Sequence, residues 1–84
     1  MKMLYDELKN ARNVVIGTKQ TVRALSEDSV SIIYLADDAD EDVMKRIYDA
    51  IGEKDVNLVY VPGKQELGRE CGIEVPCACA AVLR

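Results

Sequence analysis

Eighty-four residues with 49% hydrophobic content and a net charge of −4 suffice for one compact domain and not for two, since a chain this short buries only about 60% of its unfolded surface. Histidine is absent, which removes the commonest general base, the Ser-His and Cys-His nucleophile pairs and the usual zinc ligand; tryptophan and phenylalanine are absent too, so stacking of a single strand on an aromatic sheet is poorly supported. No segment approaches the roughly 20 apolar residues of a membrane span, and Asp6 and Glu7 interrupt the region where a signal peptide needs an unbroken apolar run, so a cytoplasmic protein is expected.

In chain order, residues 2–12 place Leu4, Leu8 and Ala11 at i, i+4 and i+7 between charges, the stripe of an amphipathic helix. Val14, Val15 and Ile16 form a β-branched run ended by Gly17, which reads as a buried strand. Thr18 then suits the cap of a helix with Val22 and Leu25 on its apolar side and Asp28 and Ser29 at its end. Residues 31–36, SIIYLA, are a second apolar strand. The acidic segment 37–42 enters the longest helix, where carboxylates complement the positive end of the macrodipole and Asp38 or Asp40 can cap it. Val43, Met44, Ile47, Tyr48 and Ile51 supply that helix with a wide apolar stripe as far as Lys54.

Residues 57–61 are a third strand, and Pro62 and Gly63 break the chain before a short helix with Leu67 and Cys71 one turn apart and Gly72 at its C-terminal cap. Residues 77–83, small and apolar, read as a fourth strand. Helices and strands thus alternate four times, and the economical α/β fold is a three-layer α-β-α sandwich around one four-stranded sheet. Runs such as VVI, SIIYLA and NLVYV lack alternation, as expected of strands covered on both faces. No linker, repeat or low-complexity segment divides residues 1–84, so a single domain is expected.

The three cysteines, Cys71, Cys77 and Cys79, are odd in number and crowded together, which argues against a disulfide framework. On a strand, Cys77 and Cys79 would share one face as small buried hydrophobes. No metal site and no cofactor is expected. The acidic balance opposes sequence-blind binding of nucleic acid, yet the charge is segregated: residues 1–23 carry +3, with Lys2, Lys9, Arg12, Lys19 and Arg23, and residues 24–42 carry −7 without a base.

Two segments carry polar or apolar groups that the core does not claim. Gly17, Thr18, Lys19, Gln20 and Thr21, followed by Arg23, stand where a strand turns into a helix; unpaired amides, the positive dipole end and two cations there make an anion site, or else a simple capped turn. The paired glycines and GK[ST] ending of a phosphate-binding loop are missing, which counts against nucleotide hydrolysis. Ile73, Glu74, Val75 and Pro76 join the last helix to the last strand, with aliphatics that form either a contact surface in a rigid loop or a lid on the core. Glu66, Glu70 and Glu74, spaced by four, read as a solvated helix face, and no two carboxylates stand out as an acid and base pair.

The segments GTKQTVRAL, LADDADED and LGRECGIEVPCACAAVL occur in the order and spacing of the ribosomal L-seven-Ae and L-thirty-e family, and the chain from about Leu8 to Leu83 resembles its small bacterial YbxF-like members. The resemblance implies an alternating α/β sandwich that binds the kink-turn, an RNA helix bent sharply at a bulge beside tandem sheared G·A pairs, and implies a binder rather than an enzyme. By that resemblance Gly17 and Thr18 let the backbone approach RNA, Lys19 and Gln20 reach guanine edges, and Arg23 contacts phosphate. Asp37 or Asp38 lies beside this helix start, and Ile73, Glu74, Val75, Pro76 and Cys77 pack on unstacked bases; Lys64 is a further candidate for phosphate or a base edge. Archaeal members carry Asn-Glu where this chain has Lys19-Gln20, so the mode of binding carries over more securely than each bond.

The expected partner is structured RNA containing a kink-turn, in a ribosomal or riboswitch setting, with no DNA and no membrane, met by a monomer. A second reading is a ribosome-assembly adaptor that docks a basic partner through residues 37–42. A third is an enzyme that takes a phosphorylated metabolite at the Gly17 turn.

Overall fold

A computed structural model describes residues 4–84. Within them the order is α1 (Asp6–Asn10), β1 (Val14–Ile16), α2 (Thr18–Ser26), β2 (Val30–Ala36), α3 (Glu41–Ile51), β3 (Asn57–Val61), α4 (Lys64–Cys71) and β4 (Cys79–Leu83). The strands form one sheet in the order β1-β4-β2-β3, with β4 antiparallel to both neighbours and β2 parallel to β3. The alternation read from the sequence is therefore the architecture.

Both faces of the sheet are covered. On one, Tyr5 and Leu8 from the first helical segment and Leu67 from α4 pack over Ile32, Tyr34, Ala36, Val61, Ala80 and Val82. On the other, Ala24 and Leu25 of α2 and Ile47 of α3 pack over Ile33, Leu35, Cys79 and Ala81. Successive residues of β2 thus feed opposite cores, the physical reason that SIIYLA shows no polar alternation. Val30 joins Ile33 rather than Ile32 because the register with β4 shifts between Val30 and Ile32.

Several expectations need correction. The first helix spans only Asp6–Asn10 instead of residues 2–12; residues 2 and 3 lie outside those described, and Leu4 is exposed in a turn. Tyr5 takes the core position instead: its ring stacks on Tyr34 at 5.9 Å and its hydroxyl donates to Glu66 Oε2 at 2.7 Å. Burial, reinforced by Glu66, pushes the Tyr5 hydroxyl well above its usual pKa. Lys9 meets Glu70 at 3.2 Å, so two of the three glutamates read as a solvated face fasten α1 to α4, and Glu74 lies beyond the helix. β1 is a half-buried edge strand, flanked among the described residues by β4 alone. Tyr48 leaves the α3 stripe for the surface, where its hydroxyl meets that of Tyr60; that bond holds the Tyr60 hydroxyl above its ordinary range.

Cys77 precedes β4, which begins at Cys79, so the two-residue period does not relate them. Cys77 packs in the core with Tyr5 and Leu67, whereas Cys79 packs in the opposite one. All three cysteines are free.

Candidate nucleic-acid interface

Strand directions bring the ends of β1, β2 and β3 and the start of β4 to one edge of the sheet. Backbone bonds stitch that edge together: Gly17 N–H donates to Cys79 O at 2.9 Å, Ala36 N–H to Ala78 O at 2.8 Å, and Asp37 N–H to Val61 O at 2.8 Å. Four segments far apart in sequence, around residues 17–20, 37–38, 62–64 and 73–78, are thereby neighbours.

The turn into α2 is built on Gly17, whose φ of 101° and ψ of 159° fall in a region that essentially only glycine occupies. Gly17, not Thr18, is the cap residue, and no side chain caps the helix. Thr18 is the first helical residue, and its hydroxyl accepts from Cys79 Sγ at 3.6 Å, while that of buried Thr21 accepts from the same thiol at 3.8 Å. Burial pushes the Cys79 thiol above its usual pKa, which keeps the donor proton in place. The thiol and the Gly17 amide thus hold the first turn of α2 against β4 from two sides.

Because the first amides of a helix have no intrahelical acceptor, the backbone at Thr18, Lys19 and Gln20 presents the positive end of α2. Lys19 and Gln20 are exposed there. Arg23 lies one turn after Lys19 on the same side, and its Nε is 3.7 Å from Glu27 Oε2 in a highly exposed pair that costs little to break.

Asp38 departs from its expected place. Asp40 occupies the cap position of α3 but makes no side-chain capping bond, whereas Asp38 Oδ1 accepts the backbone N–H of Lys64 at 2.9 Å and so caps α4. Asp37 stays exposed. The carbonyl of Lys64 in turn accepts Cys77 N–H at 3.0 Å, and Ile73 N–H donates to Gly68 O at 3.0 Å, so the 73–77 loop is anchored along α4.

Within that loop the residues divide. Val75 is 62% exposed, and Glu74 and Pro76 are exposed beside it. Ile73 is half-buried against the core, and Cys77 is buried, its thiol donating to Cys79 O at 3.0 Å. Contact with Cys71, with burial, holds the Cys77 thiol protonated. The surface and lid readings of this loop are both realised, Val75 outward and Ile73 inward.

Gly17, Lys19, Gln20, Asp37, Asp38, Lys64 and the 73–77 loop are therefore brought to one edge, and Arg23 flanks it on α2. Sequence reasoning passed over Gly68; an isolated glycine within a helix is a signal of close backbone packing. Among the described residues no group of three His, Cys, Asp or Glu side chains is placed to hold a metal ion, and no helix is long and apolar enough to cross a membrane.

The model of the ribosomal protein L7Ae/L30e/S12e/Gadd45 family matches residues 1–84. An "RNA-binding protein" of Bacillus pumilus (strain SAFR-032) is 42% identical over 81 residues, covering 96% of this chain and 99% of the relative. "RNA-binding protein YbxF" of Geobacillus stearothermophilus is 38% identical over 82 residues, covering 98% and 100%. Among solved structures, a Bacillus halodurans protein described as of unknown function superposes with a TM-score of 0.81 at 26% identity, covering 96% of this chain and 81% of the other. The Giardia lamblia 15.5kD RNA binding protein superposes with a TM-score of 0.76 at 23% identity, covering 100% and 77%, which is a likeness of fold.

Proposed function

The chain belongs to the ribosomal protein L7Ae/L30e/S12e/Gadd45 family, and we propose that, as a single-domain monomer, it binds RNA and selects the kink-turn. It is a binder and not an enzyme: the family is one of ribosomal proteins, and its relatives are named for RNA binding. The observation that carries the reading is the convergence of the uncapped α2 start, with exposed Lys19 and Gln20, and the exposed apolar tip at Val75 on one edge of the sheet.

These two halves suit two features of a bent RNA. Lysine donates to guanine O6 and N7, and glutamine both donates and accepts; a regular A-form helix keeps its major groove too narrow for either, whereas a sharp bend with sheared purine pairs opens it. An aliphatic tip has nothing to contact on a stacked duplex but can cover the face of a base turned out of the stack. Gly17 lets the backbone come close, and Arg23 and Lys64 reach phosphate.

Selection of a shape is a population shift. To carry an RNA from about 1% to 99% bent, the protein must favour the bent form by about 5.5 kcal/mol. Few cations are engaged, so the affinity should fall with salt with a logarithmic slope of only about −2 to −3, far shallower than for a sequence-blind basic binder.

The test is a gel shift with a kink-turn RNA, the same RNA with its sheared G·A pairs converted to Watson-Crick pairs, and a straight duplex of equal length. Retardation of the first alone is expected. Equal retardation of all three would sink the proposal.

A further inference from the structure

Gly68 lies buried in the middle of α4, where glycine is a poor helix former and nothing in the helix itself requires it. The reason lies outside the helix. A Cβ built on Gly68 would fall 2.2 Å from the carbonyl oxygen of Val75, 3.3 Å from its carbonyl carbon and 3.4 Å from the backbone nitrogen of Cys77. All three are backbone atoms, so no change of rotamer relieves the overlap. The loop crosses α4 at the one position that has no side chain.

The same crossing is pinned on either side, by Ile73 N–H on Gly68 O and by Cys77 N–H on Lys64 O. Between the pins stand the exposed residues Glu74, Val75 and Pro76. Any side chain at position 68 must therefore lift the exposed tip of the loop, by about 0.8 Å before the Val75 oxygen is even 3.0 Å away. Gly17, by contrast, is tied to Cys79, outside the exposed 74–76 segment.

We propose that Gly68 is a positioning residue for the RNA interface: its missing side chain sets the depth at which the loop rests on α4, and so the height of Val75 relative to Lys19 and Gln20. The inference rests on the kink-turn reading and adds to it a residue that touches no RNA. A site held about 1 Å out of place loses function although every contacting group is present.

The experiment is Gly68→Ala, read by amide hydrogen exchange, by kink-turn affinity, and by double-mutant cycles with Val75→Ala and Lys19→Ala. Faster exchange at the Ile73 and Cys77 amides is expected, with a loss of affinity of about tenfold, the scale of one partly lost aliphatic contact. That loss should largely vanish in the Val75→Ala background and add in full to Lys19→Ala, a pattern that general destabilisation does not produce. Unchanged exchange at both amides, or equal additivity with both partners, would overturn the proposal. Should Gly68→Ala fail to fold, exchange in the unaltered protein decides. Protection at Ile73 and Cys77 equal to that of the α4 amides supports a loop seated on Gly68, and exchange at open-loop rates overturns it. If the unaltered protein itself does not prefer a kink-turn to a straight duplex, the proposed function fails, and the exchange rates still answer separately whether Gly68 sets the loop.

Discussion

Replacing Gly17 by alanine isolates the cost of one backbone conformation. At φ 101° and ψ 159° an L-residue is strained by about 1–3 kcal/mol. A Cβ there would meet nothing within 4 Å, so no steric overlap adds to that figure. Against it stands the stiffening of the unfolded chain, about 0.4–1 kcal/mol in favour of alanine. The net loss is about 1–2 kcal/mol, and for a domain of this size each kcal/mol moves Tm by roughly 4–8 °C, so a drop on the order of 10 °C is expected in a thermal melt. D-alanine at position 17, introduced by chemical ligation, adopts positive φ without strain and should melt at or above the temperature of the unaltered protein. If Gly17→Ala melts unchanged, the turn does not hold the positive φ. If the two enantiomers cost the same, the penalty lies in bulk and the argument from handedness fails.

Lys19→Ala should weaken kink-turn binding by about 1–3 kcal/mol in a filter-binding titration and leave Tm nearly unchanged, because Lys19 is exposed and takes part in no ion pair among the described residues; intact affinity would remove it from the interface. Asp38→Ala deletes the acceptor for Lys64 N–H and should cost about 0.5–1 kcal/mol in urea unfolding, with Asp38→Asn recovering most of it. Tyr5→Phe removes the bond to Glu66 and should cost about 1.5 kcal/mol at neutral pH. The raised hydroxyl of Tyr5 gives a pH dependence of definite sign: below the ordinary value of 10.0 both states are protonated and its contribution is complete. Above it the unfolded chain loses the proton first, so stability falls with rising pH, and Tyr5→Phe should shallow that alkaline slope. A slope unaltered by the substitution would assign it to other groups.

What the sequence disclosed and what it withheld divide along sequence distance. Residues 57–61 and the helix after Pro62 and Gly63 stand where composition put them, because β-branched runs and chain breakers act locally. The α2 start was legible in the same way, from a strand-like run cut by glycine. Tyr5 was missed because its partners, Tyr34 and Glu66, lie 29 and 61 positions away, and no local period marks such a contact. Asp38 was read as a cap for the helix that follows it; the fold turns it to a helix 26 positions on. Cys77 and Cys79 were given one face by a period that holds only inside a strand, and the strand starts only at Cys79. For the 73–77 loop, composition named the segment but not which aliphatic faces out, since that depends on how α4 supports it.

The position of β4 governs the order in which this protein can form during its own synthesis. It is the fourth of the four described strands in chain order, yet it lies between β1 and β2 and completes both cores. Until residues 79–83 have left the ribosome, β1 has no partner among the described strands, and the β2–β3 pair with its covering helices lacks Cys79 and Ala81 in one core and Ala80 and Val82 in the other. Closure of the sheet therefore waits on this strand, and truncation within residues 79–83 should leave an unfolded chain rather than a smaller folded one.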